Sequence, residues 1–111
     1  MFYGLTPITG CFHTETQRAC PGITFFLPSR RRFIPYSWLL HADLNQKHTE
    51  LQLHYTHMLV TITGLELGRL YEAVSKLQLY IVLESFSSGT VSGKDPSVSR
   101  IEISEKISDA P

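Results

Sequence analysis

The chain has 111 residues, of which 42% are hydrophobic and 18% charged, with ten basic and ten acidic side chains. That length suits one small domain, and the apolar share argues against a wholly disordered chain. The charge balance removes any bulk drive toward nucleic acid or anionic membrane.

The balance is uneven along the chain: residues 1–48 carry five basic and two acidic groups, net +3, and the remainder five and eight, net −3. No apolar run approaches the roughly 18–20 residues that span a bilayer. The opening residues MFYGLTPITGCF lack a basic segment followed by a continuous apolar one, so no secretory signal is expected. Cys11 and Cys20 then read as free thiols in a reducing, cytoplasmic setting.

Residues 1–22 show no period and are punctuated by proline and glycine, which predicts an irregular arm. Ile23 to Leu27 (ITFFL) predicts a first strand, bounded by Pro21-Gly22 and Pro28-Ser29. Arg30, Arg31 and Arg32 then fall on a turn between two apolar runs. Phe33 to Leu44 predicts a second strand region, in which Pro35 marks an edge, a bulge or a break because it has no N–H to donate. Asn45 to His48 reads as the turn of a hairpin.

Leu51, Leu53 and Tyr55 alternate with polar residues, and Met58, Val60 and Ile62 alternate with Leu59, Thr61 and Thr63 on the opposite parity. Strand side chains repeat every two residues, so the slip at Thr56-His57 predicts a tight turn between two strands rather than one long one. After Gly64, the residues Leu67, Leu70, Tyr71, Val74 and Leu77 follow helical spacing and predict an amphipathic helix. Glu66 is expected in its first turn, near the positive end of the helix dipole. Leu79 to Glu84 predicts a last strand that is apolar on both faces. Residues 85–111 become rich in Ser and Gly and read as a flexible polar tail, with Val98, Ile101, Ile103 and Ile107 as the candidates for a short terminal strand.

The domain plan is therefore an arm over 1–22, a sheet-plus-helix unit over 23–84 and a tail over 85–111. The fold class is α+β: a small, mainly antiparallel sheet of four to five strands, with one packed helix followed by a strand. The helix stripe should meet Leu51, Leu53, Tyr55, Val60 and Ile62.

Chemistry-bearing motifs are sparse. His54 and His57 lie three apart, with His41 and Asp43 on a neighbouring strand, but their spacing fits no zinc-ligand template, so exposed strand histidines are expected and no metal or cofactor is assigned. Cys11 has His13 nearby but no scaffold to make it a nucleophile. No hydrolase elbow, phosphate-cradling loop or dinucleotide fingerprint is present, and a non-enzymatic chain is expected. The strongest binding hint is Arg30, Arg31 and Arg32 with Phe33 and Tyr36, since guanidinium groups grip phosphate while aromatic faces stack bases. The leading expectation is nonetheless a protein-interaction or self-association module, because a small sheet exposes unpaired edges.

Phe33-Ile34-Pro35-Tyr36, His54-Tyr55-Thr56-His57 with Leu59 to Gly64, and Leu70-Tyr71-Glu72-Ala73 together resemble a small bacterial protein family of unknown function. The resemblance covers Arg32 to Ser85 and implies a compact sheet-plus-helix unit without an assigned activity. In element order the chain is more distantly similar to the LytTR DNA-binding domain. That family reads DNA partly from the strand after the helix, and Leu79 to Glu84 (LYIVLE) lacks the basic and histidine residues this requires. DNA binding is not carried across.

Overall fold

The computed structural model describes residues 12–15, 20–84 and 96–105. In chain order the strands are Phe12–Thr14 (β1), Gly22–Phe26 (β2), Arg31–Pro35 (β3), Leu39–Leu44 (β4), Glu50–Tyr55 (β5) and Met58–Leu65 (β6). The helix Gly68–Ser75 (α1) follows, then Leu79–Leu83 (β7) and Ser97–Glu105 (β8). The class is α+β, with mainly antiparallel sheets and one packed helix followed by a strand. The strands divide between two four-stranded sheets, ordered β1-β7-β2-β3 and β4-β5-β6-β8. The pair β2–β7 is parallel, with Phe25 beside Val82, while the other pairings are antiparallel.

The inward faces of both sheets share one core. Ile23, Phe25, Ile34 and Val82 come from the first sheet, and Leu51, Leu53, Tyr55, Val60, Ile62, Val98 and Ile101 from the second. Burying each large side chain is worth about 1.5–3 kcal/mol, so this cluster holds the two layers together. The helix adds Leu70, Ala73 and Val74, and its N-cap Leu67, to the same core and packs against β4 and β7.

Two of the five residues expected in the helix stripe lie outside it. Tyr71 is 37% exposed and Leu77 52% exposed. Leu77 comes after the last helical turn with φ of 58°, so its side chain departs from the stripe direction, and Ala73 is buried instead. Glu66 also lies before the helix rather than in its first turn. With φ of 54° it turns the chain out of β6.

The turn at Thr56-His57 separates β5 from β6 where the parity slips. The Phe33–Leu44 region breaks at Pro35: β3 ends there, a 3-10 turn spans Tyr36–Trp38, and β4 follows. Within β4, Leu39 is opposite Tyr55 and His41 opposite His54, so Leu40 is an extra, bulged residue. A bulge lets Leu39 face inward while His41 faces outward.

The turn between β4 and β5 is clipped by Asn45. Its Oδ1 accepts from Thr49 N–H at 2.8 Å and Glu50 N–H at 3.0 Å, and its Nδ2 donates to Thr49 Oγ1 at 2.9 Å. That clip fixes the hairpin register. His48 takes φ of 60° in this turn, and its carbonyl accepts from Leu67 N–H at 3.0 Å, which ties the hairpin to the start of the helix.

Two segments are more ordered than their composition suggested. Residues 12–14 of the expected arm pair with β7, and residues 97–105 of the expected tail form β8. β8 brings Val98 and Ile101 into the core opposite Gly64 and Ile62. Ile107 lies outside the described residues, as do 1–11, 16–19, 85–95 and 106–111.

Candidate functional site

Of the three arginines expected on a turn, only Arg30 lies outside a strand; Arg31 and Arg32 open β3 and face opposite sides of its sheet. On β3, Ile34 and Arg32 share the inward side, because they oppose the buried Ile23 and Phe25. Arg32 Nη2 donates to Glu105 Oε2 at 3.1 Å, linking β3 to β8 of the other sheet. Tyr36 also turns inward, where its hydroxyl donates to the Leu79 carbonyl. Its burial pushes the phenol pKa above the tyrosine range.

Arg30, Arg31 and Phe33 remain exposed. The Arg31 guanidinium lies 4.8 Å from the centre of the Phe26 ring, and Phe33 is 52% exposed. Of the five residues expected at a nucleic-acid surface, three are therefore available to solvent. Strand alternation separates the rest, since Arg31 and Arg32 are consecutive and must face opposite ways.

A second surface lies between β4 and α1. A groove of about 420 Å³ there is lined by Leu39, Leu40, Ala42, Tyr71, Val74 and Leu77, among others. Leu40 is 62% exposed, so the groove concentrates three of the large apolar side chains on the surface. Composition alone did not mark this place. It comes from the Leu40 bulge and from the turn of Leu77 away from the helix stripe.

The third feature is a side-chain cluster on the outer face of the second sheet. His41 and His54 are directly opposite across β4 and β5, and their rings stack with centroids 4.3 Å apart and planes 20° apart. Asp43 is two residues along β4 on the same face. Its Oδ2 lies 3.2 Å from His54 Nε2 and 3.9 Å from His41 Nε2. His41, Asp43 and His54 are the residues that can hold a metal among those described, with one ligand atom from each lying within 4.8 Å of the others.

The histidines are on the outer, wetter face, as the alternation of β5 implied. What spacing did not display was their cross-strand pairing. The signal lay in the hairpin: once Asn45 to Thr49 turns and Leu44 meets Leu51, His41 must meet His54. His57 is not in the cluster; it lies edge-on to Trp38, with ring centroids 6.3 Å apart. His48 flanks Gly68, and His13 packs edge-on against Tyr80.

Cys20 is a free, partly buried thiol whose Sγ lies 3.5 Å from the Gly22 carbonyl oxygen. Burial pushes its pKa up, which lowers the thiolate fraction and with it nucleophilicity. Among the described residues, no helix is long and apolar enough to cross a membrane.

The chain matches no protein-family model, and neither curated proteins nor solved structures show significant similarity to it.

Proposed function

We propose that this is a cytoplasmic, non-enzymatic interaction module that associates with a second copy of itself through β4 and the β4–α1 groove. The carrying observation is the exposure of Leu40, Tyr71 and Leu77 along one groove beside an edge strand. Among the described residues, β4 pairs with β5 alone, as expected of a strand at the end of its sheet.

The other three edges carry features that discourage pairing. β3 contains Arg31, Arg32 and Pro35, β8 contains Arg100, Glu102 and Glu105, and β1 is only three residues long. Charges, proline and shortness are the usual protections of an edge. β4 has no proline and Asp43 as its single carboxylate, and a two-fold pairing of β4 strands would bury the bulky Leu40 side chain in both copies. The near-zero net charge imposes no long-range repulsion between copies. The free Cys20 thiol supports the cytoplasmic assignment.

Light scattering across a concentration series tests this reading. A dimer is expected, shifting to monomer in Leu40→Arg while the unfolding midpoint stays nearly unchanged. A strict monomer at all concentrations would sink it.

A second reading is favoured by the stack of Arg31 on Phe26 beside the exposed Phe33: binding of single-stranded nucleic acid on the outer face of the first sheet. With two free arginines, the affinity for a labelled oligonucleotide should fall with salt at a log–log slope of about −1.4, near 0.7 per phosphate contact. Replacing Arg30 and Arg31 by alanine should abolish it, and salt-independent or absent binding rules it out.

A further inference from the structure

We infer that His41, Asp43 and His54 form a binding site for a divalent transition-metal ion. The inference does not depend on self-association or on nucleic-acid binding, although His41 also lines the β4–α1 groove. It rests on the geometry of one hairpin.

Two imidazoles and a carboxylate are a donor set that suits zinc and its neighbours in the first transition row, rather than magnesium or calcium, which prefer all-oxygen shells. Around a tetrahedral zinc with bonds of about 2.0–2.2 Å, donor atoms lie roughly 3.4 Å apart. The His54 Nε2–Asp43 Oδ2 separation of 3.2 Å is already at that spacing, and the His41 Nε2–Asp43 Oδ2 separation of 3.9 Å is about half an ångström beyond it.

The state of His54 points the same way. Its side chain is only 23% exposed, and its Nε2 atom is buried without a hydrogen-bond partner although the Asp43 carboxylate is close by. Buried polar nitrogen is costly unless something satisfies it. His54 Nε2 and Asp43 Oδ2 stand 3.2 Å apart without a hydrogen bond that satisfies the nitrogen, and a cation bound by both atoms would satisfy it.

The scaffold fixes two of the three donors. Asp43 and His54 stand on hydrogen-bonded strands whose register is set by the Asn45 clip, and the Leu40 bulge presents His41 on the same face. An ion bonds in the plane of each imidazole, so the nearly parallel rings cannot both bind it as they stack. His41 is exposed, with 59% of its side chain accessible, and it is the ring that swings out of the stack to complete the shell. Three protein donors leave at least one coordination position for water or an added ligand, in the manner of an open rather than a closed zinc site.

Zinc titration of the full chain by calorimetry tests the site, with cobalt(II) absorption reporting the coordination shell. One equivalent of zinc is expected, with shifted His41 and His54 ring resonances in NMR. His41→Ala, Asp43→Asn and His54→Ala should each weaken binding about tenfold or more, since each removes one of three donors. His48→Ala and His57→Ala should leave it unchanged. Circular dichroism shows whether each variant is folded, and the exposed positions 41 and 43 give variants that do not disturb the core. Absence of zinc uptake at millimolar concentration overturns the inference, as does uptake that survives the His41→Ala/Asp43→Asn double variant.

Discussion

Gly64 on β6 faces Val98 on β8 so closely that a side chain cannot fit between the strands. A Cβ at Gly64 would collide with the Ser97 carbonyl oxygen and lie 3.0 Å from Val98 Cα. Both obstacles are backbone, which cannot rotate away. The contact falls where the β6–β8 register shifts, and Ser99 Oγ bridges that shift by donating to the Thr63 carbonyl at 3.0 Å.

Gly64→Ala should therefore destabilise the protein by on the order of 3 kcal/mol, as overpacking of a tight contact does. The damage should be confined at first to β8. Hydrogen exchange is expected to show lost protection at Ile101 and Ile103 before β5 is affected. A urea midpoint equal to that of the parent would refute the close approach.

The helix offers opposite responses at its middle and its end. Leu70 is fully buried, so Leu70→Ala should cost about 2–5 kcal/mol. Leu77 closes the helix in the left-handed conformation usually taken by glycine. Its N–H donates to the Val74 carbonyl at 2.9 Å, and the next N–H, of Gln78, donates to Ala73 at 2.8 Å. This is a Schellman cap with leucine at the glycine position. Since a side chain there costs roughly 1–2 kcal/mol and Leu77 is half exposed, Leu77→Gly should raise stability by about 1 kcal/mol. Urea unfolding of both variants checks the pair, and loss of stability in Leu77→Gly would contradict the assigned cap.

Alkaline pH should weaken the fold. Burial pushes the Tyr36 and Tyr55 phenols above their ordinary value near 10, and it pushes the Cys20 thiol up as well. The folded chain thus holds protons that the unfolded chain releases. Unfolding loses protons in this range, so the stabilisation is complete below about pH 9–10 and is lost as pH rises further. Unfolding midpoints measured between pH 8 and 11 should fall, with a smaller slope in Tyr36→Phe. A flat profile in the parent would place these groups in water.

Much of the local architecture was legible in the chain itself. Alternation in Leu51 to Tyr55 and Met58 to Ile62 marked β5 and β6, the parity slip marked their turn, and helical spacing at Leu67, Leu70 and Val74 marked the buried side of α1. These signals survive because they depend on which face of one segment is apolar, a property that neighbours a few residues apart already encode.

Pairing between distant segments is different, since periodicity tells a strand which side to bury and not which strand to join. Only the tertiary structure set β2 parallel to β7 and drew Ser97–Glu105 onto β6. It also separated Arg32 and Tyr36 from Arg31 and Phe33, because adjacent strand positions face opposite layers once both layers exist. His41, Asp43 and His54 became a cluster by the same means: each is an ordinary polar residue along the sequence, and a hairpin register brings the three together on one face.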